Sequence, residues 1–303
     1  MKKKKPYIFK GCGTALTTPF NENGNGIDFE TFGRLIERQI ACGADALIVC
    51  GTTGEAPTLT DREHIDCIRF AVEKTEGRLT VIAGTGSNST DHAVYMSQAA
   101  EEAGADAVLA VSPYYNKATD SGLIASYTAI ADSVGIPLII YNVPSRTGVD
   151  IPVPVYDVLV DHPNIRGIKE ASSDPRKLAA TVRACSDRAD IFTGCDELIF
   201  YALACGADGV ISVVSNVIPE ETANACRGYF RRKIGKARAF MNEYEDLINA
   251  MFACVNPIPV KTALSMMGYG NGRLRLPLCP PDKQIEEMIS RILRDHGLIK
   301  KAE

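Results

Sequence analysis

Cys42-Gly43-Ala44-Asp45-Ala46 returns as Ala103-Gly104-Ala105-Asp106-Ala107 and again as Cys205-Gly206-Ala207-Asp208-Gly209. Each copy follows a stretch of helical periodicity and leads into an apolar run. The physical reading is a helix closed by a glycine, then a tight loop into a strand. The segment therefore marks one unit of a repeated strand-helix chain. Outward from it, strand candidates recur at a regular beat: residues 13–17, 46–50, 80–83, 107–111, 138–141, 165–169, 191–193 and 209–213. They are continuous runs rich in Val, Ile and Ala, as parallel strands buried on both faces should be. Helical patterns lie between them, for example over 29–41, 61–73, 90–103, 122–133 and 196–204. Eight beats within about 235 residues predict an α/β fold of the (β/α)8 barrel type. On a barrel the three echoes fall on the stability face and carry no chemistry.

From about residue 235 the strand beat stops. Helical patterns follow over 236–251, 259–267 and 283–294, interrupted by Gly268-Tyr269-Gly270-Asn271-Gly272 and by Pro280-Pro281. The expected organisation is a barrel over 1–234 that carries the active site, and a small helical region over 235–303 packed on it or on a neighbouring subunit. A doubly wound open sheet is the competing architecture. Against it, no G-x-G-x-x-G follows the first strand and no Walker lysine motif is present.

Composition narrows the function classes. The chain has 303 residues, 46% of them hydrophobic and 23% charged, as globular proteins do. A net charge of -4 gives no electrostatic reason to expect nucleic acid. No apolar run reaches the roughly 18 residues of a membrane helix. The basic cluster at residues 1–5 has no apolar segment behind it and reads as a solvated tail rather than a signal peptide. Ten scattered cysteines without a C-x-x-C pair read as reduced core residues of a cytoplasmic protein. His64, His92, His162 and His296 lack metal-site spacing, so no metal is expected.

In a barrel, catalytic groups come from the C-terminal ends of several strands. Asn164-Ile165-Arg166-Gly167-Ile168-Lys169-Glu170 places an amine there. Alternation puts Ile165, Gly167 and Lys169 on one face and Ile168 on the other. At its ordinary pKa of about 10.4, roughly one lysine in a few thousand is neutral at pH 7. An inner rim strips hydration from the amine, lowers its pKa and suits it to imine formation. A solvated lysine beside Glu170 is the bland alternative. Other strand ends supply Gly51-Thr52-Thr53-Gly54-Glu55, Ser112-Pro113-Tyr114-Tyr115-Asn116, Tyr141-Asn142-Val143-Pro144-Ser145-Arg146-Thr147-Gly148 and Gly194. Singly, each is more often an ordinary turn, core ring or surface residue. Together they describe a keto-acid aldolase: Lys169 as nucleophile, tyrosine and threonine hydroxyls moving protons, a Thr-Gly backbone for one carboxylate and Arg146 for another.

Those motifs, with Gly209-Val210-Ile211-Ser212 and Asn256-Pro257-Ile258-Pro259-Val260-Lys261, resemble the 4-hydroxy-tetrahydrodipicolinate synthase (dihydrodipicolinate synthase) family of pyruvate-dependent aldolases, in register from about Gly13 to Pro277. The resemblance implies a lyase of diaminopimelate and lysine biosynthesis that joins pyruvate to L-aspartate 4-semialdehyde. It implies a Schiff base on Lys169, Tyr141 as general acid/base, and Thr52 and Tyr115 completing a proton relay, Tyr115 reaching into the adjoining subunit's site. It further implies pyruvate's carboxylate at Thr53, a pocket lined by Gly194 and Ile211, and the aldehyde's carboxylate at Arg146. A homotetramer built as a dimer of tight dimers, without a cofactor, goes with it.

Feedback-inhibited members of that family bind lysine at the tight-dimer interface. This chain keeps the corresponding His64, Asn88 and Tyr114. It carries Ala56 where serine is usual, Asp61 where histidine is usual, and His92 in place of a glutamate. Loss of that glutamate removes an anionic partner for the effector's ammonium, and a protonated His92 repels it. Weak or absent lysine inhibition is the expectation. The rival readings are an N-acetylneuraminate lyase or other keto-deoxy sugar acid aldolase, and, from another class, a non-catalytic keto-acid-binding barrel. Arg146 and the Thr52-Thr53 pair argue against the first, and the full set of reactive groups against the second.

Overall fold

In the computed structural model, residues 6–300 are described; the basic cluster at residues 1–5, expected as a solvated tail, lies outside them. Eight parallel strands close in chain order: β1 (Gly11–Ala15), β2 (Ala46–Val49), β3 (Thr80–Gly84), β4 (Ala107–Val111), β5 (Leu138–Asn142), β6 (Ile165–Glu170), β7 (Asp190–Thr193) and β8 (Gly209–Ser212). Helices follow the strands and wrap the barrel, so each strand is buried on both faces. Alternation sends Ala46, Ile48, Ile82, Leu109, Ile139, Tyr141, Phe192 and Ile211 to an inner layer. Leu47, Val49, Val81, Val108, Ile140, Ile168 and Val210 pack outward against the helices. Phe9, just ahead of β1, joins the inner layer by stacking on Phe192, ring centroids 4.1 Å apart.

The eight expected strands are all present, with differences that have nonlocal causes. β1 starts two residues early, at Gly11, because it pairs there with Gly209 of β8 to close the barrel. In β6, Leu138 pairs with Ile165 but Ile139 pairs with Gly167. The extra residue, Arg166, makes a bulge. Ile165 therefore joins Ile168 in the outer layer, and the expectation that it shares a face with Lys169 is corrected. The helix expected over 196–204 begins instead as a 3-10 turn (Asp196–Leu198) before the α-helix Ile199–Cys205. The buried Asp196 carboxylate causes the break by accepting Val213 N–H at 2.9 Å and Val214 N–H at 2.8 Å beyond β8.

The three echoes have a shared mechanical role. Gly43, Gly104 and Gly206 stand at φ +74, +90 and +103, closing their helices as expected. Each following aspartate then hooks the neighbouring strand. Asp45 Oδ2 accepts Cys12 N–H at 2.8 Å, Asp106 Oδ2 accepts Val81 N–H at 2.8 Å, and Asp208 Oδ2 accepts Ile191 N–H at 3.1 Å. Their own N–H groups return bonds to the same residues' carbonyls at 2.7 to 2.9 Å. Thus β2 is tied to β1, β4 to β3 and β8 to β7 at the entry end.

Beyond β8 come the helices Pro219–Phe230, Ile234–Glu243, Glu245–Ala250, Ile258–Met266 and Lys283–Asp295. The one helix expected over 236–251 is two, broken at Tyr244. The helix Ile258–Met266 packs on Lys283–Asp295 and sends side chains back to the barrel mouth. Among the described residues no helix is long and apolar enough to cross a membrane.

The aspartate hooks predict a separation of stability from activity. Asp208→Ala should lower the unfolding free energy by about 1–3 kcal/mol, the range for a bond to a charged acceptor that leaves a buried donor unpaired. Urea denaturation reads that loss, while kcat/KM well below the melting temperature should stay at the wild-type value.

Candidate active site

Lys169 and Tyr141 sit side by side because β5 and β6 pair Tyr141 with Lys169 in register. Both point into the barrel mouth, Lys169 6% exposed and Tyr141 7% exposed. The Lys169 Nζ lies 4.2 Å from the centroid of the Tyr141 ring. The solvated alternative for this lysine is therefore excluded. Glu170, next in sequence, turns to the opposite face and is also buried. Its Oε1 accepts Asn142 Nδ2 and Ser172 N–H, both at 2.9 Å, and its Oε2 accepts the Tyr156 hydroxyl at 2.9 Å. Burial pushes the Glu170 carboxyl up, against these three donors. The cluster locks the ends of β5 and β6 together directly behind Lys169 and Tyr141.

Gly194, just past the end of β7, is shaped by the Lys169 side chain. A Cβ there would meet Ala171 Cβ at 2.6 Å and Lys169 Cε at 2.8 Å. Only glycine leaves the lysine stem its path.

The turn after β2 brings Thr52 and Thr53 to the same mouth. Thr53 is 2% exposed and its Oγ1 accepts Asn256 Nδ2 at 3.0 Å, which leaves its own proton for a carboxylate. Asn256 also accepts, through its main-chain oxygen, the Arg146 guanidinium at 2.9 Å. One residue of the C-terminal region thus links the two groups expected to hold carboxylates. Asn256 opens the segment Asn256-Pro257-Ile258-Pro259-Val260-Lys261, but nothing local signals its contacts. They cross 203 and 110 positions of chain.

Lys169, Tyr141, Thr52, Thr53, Arg146 and Gly194 all line one cavity of about 610 Å³. Ile211 is fully buried in the inner layer, and the residue beyond β8 that reaches the cavity wall is Val213. Tyr115 stands apart: it is 91% exposed, at φ +71, and lies off this cavity within its own chain.

A second cavity, of about 400 Å³, shares Thr52, Tyr141 and Arg146 with the first. Ala56, Asp61, His64, His92 and Tyr114 line it, with Ser87 rather than Asn88 on its wall. His64 bonds the Gly84 carbonyl through Nε2 at 2.7 Å, and burial pulls the imidazole below its ordinary pKa. His92 Nε2 lies 3.0 Å from Asp61 Oδ1, both half-exposed. Among the described residues no three His, Cys, Asp or Glu side chains gather to hold a metal ion.

Comparison with known proteins gives one consistent answer. The model of the dihydrodipicolinate synthetase family matches residues 8–296. A 4-hydroxy-tetrahydrodipicolinate synthase of Thermoanaerobacter sp. (strain X514) is 47% identical, over 97% of this chain and 99% of that one. The crystal structure of the Aquifex aeolicus dihydrodipicolinate synthase superposes with a TM-score of 0.94 at 41% identity, covering 97% of this chain and 100% of that chain. The chloride-inhibited Acinetobacter baumannii enzyme, complexed with pyruvate, gives 0.93 at 40% identity, covering 96% and 99%. With the match running through barrel and C-terminal helices alike, this chain belongs to the dihydrodipicolinate synthetase family and is a Schiff-base-forming enzyme of the lyase type.

Proposed function

We propose that Lys169 is the amine through which this chain performs its family's reaction, the condensation of pyruvate with L-aspartate 4-semialdehyde. The carrying observation is the burial of Lys169 against Tyr141 in a cavity rimmed by Thr53 and Arg146. Lys169 Nζ attacks the C2 carbonyl of pyruvate, water leaves, and a protonated imine results. That cation withdraws electrons from C3, which gives up a proton to form an enamine. C3 then bonds to the aldehyde carbon, whose oxygen takes a proton. The aldehyde's own amino group attacks C2 and expels Lys169, closing the ring of 4-hydroxy-tetrahydrodipicolinate. Tyr141 serves as acid and base through these steps, with Thr52 passing the proton onward. Thr53 holds the carboxylate of pyruvate and Arg146 that of the aldehyde. A fixed guanidinium beside Asn256 suits a small carboxylate better than a sugar chain, which sets the sugar-acid aldolase reading aside.

Tyr115 completes the relay from a second copy of the chain. A tyrosine held 91% exposed at a strained positive φ is otherwise expensive, and a partner's active site gives it a place. A homotetramer assembled from such pairs is the oligomer that follows. A cytoplasmic location suits ten cysteines that stand as free thiols. The Asp61–His92 pair fills the wall where lysine-regulated relatives would meet an effector's ammonium, so lysine inhibits this chain weakly.

Borohydride reduction in the presence of pyruvate should leave a stable adduct on Lys169 and none in Lys169→Ala; mass spectrometry of the peptide containing residues 165–170 reads it. Absence of the adduct sinks the mechanism. Tyr115→Phe should lower kcat by about 10²-fold, as loss of one proton-transfer group does. Mixing Tyr115→Phe with Lys169→Ala under subunit exchange should then restore activity, because one mixed site has both residues intact; no recovery would assign Tyr115 to its own chain. A lysine titration should leave most activity in place well above sub-millimolar concentrations, and strong inhibition below that range would refute the effector-wall reading.

A further inference from the structure

The turn that carries Thr52 and Thr53 ends in Glu55, a residue at φ +54 and 2% exposed. Its carboxylate is held from the far side of the sequence. Oε1 lies 2.6 Å from the Lys261 Nζ, and Oε2 accepts Arg275 N–H at 3.1 Å. Lys261 comes from the helix Ile258–Met266 and is 4% exposed. Its ammonium also donates to the Thr18 carbonyl at 2.8 Å and lies 4.1 Å from the Phe20 ring centroid. Thr18 returns to the turn, its Oγ1 donating to the Gly54 carbonyl at 2.8 Å. Burial drags the Lys261 ammonium down to about 8 even with Glu55 opposing the shift. Two buried charges in this state are weak contributors to stability, and apolar residues of similar volume often do as well. What the pair supplies that a methionine cannot is direction: a bond of fixed length to one carboxylate oxygen and one carbonyl.

We propose that Lys261 and Glu55 are positioning residues for the keto acid, their buried ion pair setting where the turn 51–55 presents Thr52 and Thr53 to Lys169. The proposal rests on the reading of Thr53 as the carboxylate holder. Neither residue touches the reacting atoms; each acts through the turn. Breaking the pair therefore weakens capture of pyruvate, while the nucleophile and the Arg146 side of the site keep their geometry.

The test uses three variants of the full-length enzyme: Lys261→Met, the double variant Lys261→Met/Glu55→Gln, and Glu55→Asp. The double variant leaves no uncompensated buried charge, and Glu55→Asp keeps the charge but withdraws it by one methylene. Either folds where the single lysine variant fails to. Borohydride trapping is run across pyruvate concentrations, alongside KM for the aldehyde and the melting temperature. The expected result is a rise of about tenfold in half-saturating pyruvate for the double variant and for Glu55→Asp, equivalent to about 1.4 kcal/mol. Saturating pyruvate should still label Lys169 fully, and the aldehyde KM should stay within about twofold of wild type, well inside that tenfold step. A folded double variant or Glu55→Asp that traps pyruvate at the wild-type half-saturation overturns the proposal, whatever its melting temperature. An equal rise in both substrates' constants also overturns it, since that marks general damage to the mouth. No adduct on Lys169 in the unmodified enzyme would be a different failure, of the Schiff-base reading beneath it.

Discussion

Consecutive residues of a strand face opposite ways, and at the end of β6 this places Lys169 inside the barrel and Glu170 outside it. The two charges are thus adjacent in sequence yet kept from neutralising one another across the sheet. Glu170 spends its oxygens on Asn142, Ser172 and Tyr156, which leaves the lysine facing an aromatic ring and a cavity. Asn142 immediately follows Tyr141 on β5, so the same cluster that occupies Glu170 also fixes the strand bearing the proposed acid and base. Lys169 and Tyr141 are registered by one ladder on the front and one hydrogen-bond cluster behind.

The barrel supplies rigidity for that arrangement at its other end. The aspartate hooks bind pairs of neighbouring strands where they begin, and the cavity residues gather where strands end. This division lets the mouth be built from irregular turns without loosening the sheet. The turns are in turn held by the C-terminal region, through Asn256, the helical Lys261 and the main chain of Arg275. The helical region is therefore part of the site's architecture, and the Thr52-Thr53 turn depends on residues some two hundred positions downstream.

How much of this was legible in the sequence follows from the range of each interaction. The strand beat and the glycine-aspartate echoes are local patterns; all eight strands are present, and the helix-closing glycines stand where the echoes mark them. That Lys169, Tyr141, Thr53 and Arg146 gather at one cavity could be read from strand ends, because a parallel barrel sends its C-terminal strand ends to one face. Local pattern misled where closure or pairing intervened. Arg166 is a bulge because β5 requires it, so Ile165 faces outward despite perfect alternation. β1 begins at Gly11 because β8 meets it there, a contact across nearly 200 residues.

The family resemblance supplied substrates that geometry alone would have left as two unnamed carboxylates and an aldehyde. It did not supply the partners of Glu55, which nothing in its own neighbourhood reveals. By itself, then, the sequence determined the repeating fold and which polar side chains stand at the strand ends, since periodicity and residue chemistry are properties of short segments. Only the tertiary structure decided that Lys169 is buried beside Tyr141 and that Lys261 holds the threonine turn. Burial and ion pairing depend on which distant residues arrive, and chain closure alone brings them together.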